Sequence, residues 1–168
     1  MFYTRRKTEQ TCGMEISGNG EFRRQTLQVL SLLQPLAEFA LIQSHLKAIR
    51  QGRRSGVTAW AERPIFTVGA PTWSHSPVWF AGAIAHDAYH AKLYFEAKRR
   101  AGNRKPSIET WTGKAAELAC LLFQKKILLN LRADKTTLAH IESHLRNPTY
   151  QGRATGLGGW LDYRKRWW

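Results

Sequence analysis

A chain of 168 residues, 43% hydrophobic and carrying 7 Trp, 7 Phe and 5 Tyr, has enough apolar side chain for one domain with its own core. No apolar run approaches the roughly 20 residues of a membrane-spanning helix, and the basic Met1-Phe2-Tyr3-Thr4-Arg5-Arg6-Lys7 is followed by Thr8-Glu9 rather than by an export signal, so a cytoplasmic protein is expected. The net charge of +14 attracts polyanions, but its sources, such as Arg53-Arg54, Lys98-Arg99-Arg100 and Lys125-Lys126, are dispersed and form no basic tract,.

In chain order, residues 1–20 read as an irregular arm that ends in the turn-prone Ser17-Gly18-Asn19-Gly20,. Residues 21–50 have helical spacing, with Phe22, Leu27, Leu30, Leu33, Leu36, Leu41, Leu46 and Ile49 as apolar stripes,. Pro35 should split this run, because proline lacks the amide donor of a helix interior. Residues 57–61 and 65–68 are rich in β-branched and aromatic side chains and are separated by Glu62-Arg63-Pro64. They predict a small antiparallel hairpin or meander, extended to Thr72-Trp73, with residues 67–70 as an edge open to an extended peptide.

Ser76-Pro77 then starts a helix over 77–100, with Ser as N-cap and Pro in the first turn. Further helices are expected from residue 107 or 112 to 132, and over 136–146, the last ended by Asn147-Pro148,. The tail combines glycines with Trp160, Tyr163, Trp167 and Trp168, which would either stack on ligand rings or anchor the C-terminus,. The expected class is α+β: a mainly helical single domain over 21–168 with a small antiparallel sheet before the central helix.

The chemistry concentrates in His86-Asp87-Ala88-Tyr89-His90. Residues four apart share a helix face, and the face of His86 and His90 also carries Trp79, Ala83, Leu93 and Ala97,. Two imidazoles on an apolar stripe must be satisfied. A divalent metal does this, and zinc suits the donors; core histidines bonded to backbone or Tyr are the competing reading. The second pair, His140 and His144, lies off the stripe of Leu138, Ile141 and Leu145, and reads as solvent-facing.

Zinc needs a third protein ligand. Glu117, in Gly113-Lys114-Ala115-Ala116-Glu117, is the only carboxylate in an apolar stretch on the following helix. Lys114, Gln124 and Lys125 share its side, which leaves a solvated role open, and Glu109 is the reserve. The two cysteines, Cys12 and Cys120, form no paired-cysteine metal motif and fix no disulfide,.

This arrangement resembles the zincin metallopeptidases whose third ligand is glutamate, the gluzincins. They have a helix bearing His-Glu-x-x-His, a small sheet before it and a later helix that donates the glutamate. The resemblance covers roughly residues 57–131 and implies zinc held by His86, His90 and Glu117, with Asp87 as the general base. Here the motif is the HDxxH variant, with Asp87 at the usual glutamate position. Aspartate is one methylene shorter, so its oxygens sit about 1 Å further from their target, a displacement worth roughly 10²-fold in rate. An oxyanion-stabilising residue is also required; His75, Tyr89, His144, Tyr150 and Tyr163 are open candidates.

Two functions are therefore expected to compete. One is a zinc-dependent hydrolase, most simply a peptidase. The other is a non-enzymatic binder of nucleic acid or an acidic protein, using the positive charge and the C-terminal aromatics. A metal site with an open position marks the first; a continuous basic face without metal marks the second.

Overall fold

Strands β1 (Lys7–Thr11) and β2 (Met14–Gly18) pair antiparallel across a two-residue turn at Cys12 and Gly13, so much of the expected irregular arm is a hairpin. Both turn residues have positive φ, 49° and 71°, the combination that matches strand twist in the tightest hairpins. The computed structural model describes residues 7–147; Arg5, Arg6, Tyr150, Tyr163 and the aromatic and glycine-rich tail lie outside the described residues.

Asn19 caps helix α1 (Gly20–Leu33), its side chain accepting the N–H of Phe22, and a turn around Pro35 leads into α2 (Phe39–His45). The expected helical run stops there. Residues 48–51 form β3 (Ala48–Gln51), which pairs in parallel with β2 on one side and with β5 (Ile65–Val68) on the other. β4 (Gly56–Thr58) pairs antiparallel with β5, as the hairpin reading expected.

The whole is a five-stranded mixed sheet, β1-β2-β3-β5-β4, and not a small antiparallel one. Its centre is parallel because α1 and α2 carry the chain back between β2 and β3, the crossover that parallel pairing requires. The edge beside the helices is β4, while β5 is interior, which corrects the expectation for residues 67–70. Thr72 and Trp73 belong to a short helix, α3 (Ala70–Trp73).

Ile16, Ile49 and Phe66 stand in register across β2, β3 and β5 and are all fully buried. They meet Phe22, Leu30 and Leu33 of α1 and Phe80 and Ile84 of the next helix in one core. That helix, α4 (Pro77–Arg100), has Ser76 as its N-cap, accepting the N–H of Trp79 at 3.1 Å. Behind it come α5 (Glu109–Thr112), α6 (Lys114–Asn130) and α7 (Lys135–Arg146), the last capped by Asp134. Among the described residues no helix is long and apolar enough to cross a membrane.

Helices α4 and α6 approach closely at Gly82. A Cβ there would lie 3.0 Å from Leu128 Cδ2 and 3.2 Å from Gln124 Cγ, so a larger side chain must push the helices apart. Overpacking of this kind typically costs about 1–3 kcal/mol. Gly82→Leu is expected to lower the thermal midpoint by several degrees, read by circular dichroism. An unchanged midpoint contradicts the close contact.

Candidate metal centre

Two helices supply the centre. His86 and His90 lie one turn apart on α4, and Glu117 stands in the first turn of α6, where the helix dipole favours a carboxylate. Glu117 is only 2% exposed, and the side chain of His86, at 12%, is the most accessible of the three. The imidazole Nε2 atoms are 3.1 Å apart. The Glu117 carboxylate reaches both, with Oε1 3.4 Å from His86 Nε2 and Oε2 3.2 Å from His90 Nε2. The solvated alternative for Glu117 does not describe this geometry.

The outer nitrogens are pinned. His90 Nδ1 donates to the Trp111 carbonyl at 2.8 Å, and His86 Nδ1 to Gln124 Oε1 at 3.0 Å. A carbonyl only accepts, so Nδ1 carries the hydrogen of His90, and the Nε2 lone pair of a neutral ring then faces inward. The two Nε2 atoms and the carboxylate face one another, and they need a proton or a metal ion between them. Zinc–nitrogen bonds of 2.0–2.1 Å at the tetrahedral angle separate neighbouring ligand atoms by about 3.3 Å. The two Nε2 atoms, 3.1 Å apart, lie near that spacing, while Glu117 meets each imidazole through a different carboxylate oxygen at hydrogen-bond or ion-pair distance.

Cys120, one turn beyond Glu117 and fully buried, adds a donor that sequence reasoning missed. The ligand atoms of His86, His90 and Cys120 all lie within 4.8 Å of one another, a group able to hold a metal ion. The missed signal is helical: Glu117, Cys120 and Gln124 are spaced i, i+3, i+7, and so share the face of α6 turned to α4. A lone cysteine makes no motif in sequence, but here it shares a face with a carboxylate.

Without metal, the centre holds a proton. Burial opposes a charge on His90, but hydrogen bonds from its ring to Cys120 and Glu117 outweigh this and raise its pKa well above the ordinary value. Burial lowers His86 to about 4, against the pull of Glu117 and with the help of the charge on His90. Burial also raises the Cys120 thiol, opposed by His90. One imidazole thus carries the charge while its neighbour stays neutral.

Asp87 sits beside the centre and not in it. It is partly buried, and its carboxylate accepts the Val57 N–H on edge strand β4. Burial raises its pKa to about 7, with the charge on His90 acting in the opposite direction. Glu109 is exposed and turned toward Gly113, away from the centre. Of the remaining candidates, the Tyr89 ring packs on Phe123 at 4.9 Å with Lys92 above it, and His75 is exposed. His144 is near enough for its charge to act on His86.

No protein-family model matches this chain, and comparison with curated proteins and with solved structures gives no significant match.

Residues that orient metal-bound histidines typically contribute 10- to 100-fold to metal affinity. Gln124→Leu keeps the bulk and removes the acceptor for His86 Nδ1. It is expected to weaken metal binding 10- to 100-fold in a competition titration, with the fold retained. Unchanged affinity contradicts the assignment of His86 as an Nε2 ligand.

Proposed function

We propose that the protein is a zinc-dependent hydrolase, most simply a peptidase, in which His86, His90 and Glu117 hold the metal. The observation that carries the proposal is that the Nε2 atoms of two buried imidazoles and the Glu117 carboxylate face one another, with both Nδ1 atoms already engaged. Zinc bound there would act as a Lewis acid and lower the pKa of water. The remaining chemistry belongs to this chain.

Asp87 is one residue from His86 on α4, about 100° around the helix, which suits a proton acceptor at the border of the centre better than a further ligand. The backbone of Val57 on β4 is near enough to act on its carboxylate. β4 is the sheet edge and packs against α4, so an extended peptide added along it would pass close to Asp87. These relations favour the gluzincin-like reading of the helix, the edge strand and the downstream glutamate.

One observation favours a second reading. Cys120 is close enough to take a fourth position, and four protein ligands make a closed, structural zinc site. Cys120→Ala separates the two. A hydrolase keeps its metal and its activity, whereas a closed site loses metal affinity and thermal stability together.

Asp87→Asn tests the hydrolase directly, since asparagine retains an acceptor for the Val57 N–H but cannot take a proton. Metal content is expected to stay at the wild-type level while hydrolysis of a peptide library falls about 10²- to 10⁴-fold, the usual contribution of a positioned base. Wild-type hydrolysis in the variant overturns the role of Asp87; lost metal makes it a ligand or a support for one.

A further inference from the structure

The second histidine pair is not the solvent-facing pair that its sequence position predicts. His140 and His144, on α7, are each half-buried, and the His140 ring meets the Trp79 ring of α4 edge-on at 5.2 Å. α7 packs against α6 through Ile141, which joins Trp79, Leu121 and Leu128 in a cluster. The packing turns His140 toward α4 because Trp79 stands one turn inside the helix start.

The geometry of the second pair repeats that of the first. The Nε2 atoms of His140 and His144 are 3.1 Å apart and the ring centroids 4.5 Å, against 3.1 Å and 4.8 Å for His86 and His90. Both separations fit two imidazoles sharing one tetrahedral ion, whose nitrogen ligands lie about 3.3 Å apart.

We infer that His140 and His144 form a second transition-metal site, distinct from the α4–α6 centre and holding a zinc-, copper- or nickel-type divalent ion. Two protein ligands leave the other positions to water or small anions, so this ion binds more weakly and exchanges faster than the first. Imidazole donors select these metals over magnesium or calcium. The site is within electrostatic range of the first centre, since the charge of His144 acts on His86. The inference stands on α7 alone and survives if the first centre proves to be purely structural.

The test is a calorimetric zinc titration of the full chain, stripped of metal. Wild type is expected to take up two equivalents, tight then weak. His140→Gln with His144→Gln is expected to lose the weak equivalent and keep the tight one. His86→Ala with His90→Ala is expected to lose the tight one and keep the weak one, so failure at either site is read separately. Undiminished uptake by the His140/His144 variant, whether wild type takes one equivalent or two, overturns the second site; a single equivalent that this variant loses and the His86/His90 variant keeps overturns the first centre instead. If that variant does not fold, nickel is added to zinc-loaded wild type and the histidine ring resonances are followed. Selective broadening of His140 and His144 supports the site, and its absence overturns it.

Discussion

Two imidazoles and a carboxylate buried within 3.1 to 3.4 Å of one another must share a proton or a metal ion, and the surrounding residues are arranged around that constraint,. Hydrogen bonding to the Trp111 carbonyl and to Gln124 commits the Nδ1 side of each imidazole, which turns the Nε2 atoms of His86 and His90 toward Glu117. A proton on His90 relieves the repulsion in part. A divalent ion held there, as proposed above, would relieve it further. The proposed metal would couple its binding to folding, because its ligands come from two helices of the core,.

The fold supplies what such a centre needs, which is rigidity on every side. Gly82 lets α6 lie against α4 closely enough for a carboxylate from one helix to reach imidazoles on the other. The short α5 ends just before Gly113, and its Trp111 carbonyl becomes the acceptor that orients His90. Beneath α4, the row of Ile16, Ile49 and Phe66 anchors the helix to the sheet. β4 lies along its flank, tied to it through Asp87 and Val57. The ligands thus sit on helices whose positions the core determines, a basis for a preorganised site.

The helices around the centre were legible because their signals are local. Ser76-Pro77 marked the start of α4, and apolar spacing placed His86 and His90 on its inward face, as the structure has them. Glu117 stood out as a carboxylate in apolar surroundings. The parallel centre of the sheet was hidden, because β3 is four residues long and continues the apolar spacing of α2, so Leu46 and Ile49 fit a helix equally well. The β1–β2 hairpin was hidden because its turn, Cys12-Gly13, lacks the usual Asn or Asp. Cys120 and Gln124 escaped because their role depends on which face of α6 meets α4, and that is decided by tertiary packing at Gly82. The burial of His140 has the same origin: only the docking of α7 on Trp79 separates it from a solvent-facing pair.

In the proposed metal-bound protein, His86 and His90 present Nε2 to a shared cation while Nδ1 stays protonated. Histidine ring ¹⁵N spectra of the full chain, recorded before and after addition of one equivalent of zinc, measure this directly. The account predicts that on zinc addition the Nε2 resonances of both rings move together to metal-bound positions while each Nδ1 keeps its hydrogen. If either Nε2 remains protonated in the presence of zinc, or if Nδ1 takes the metal, the convergent acceptor centre described here is wrong.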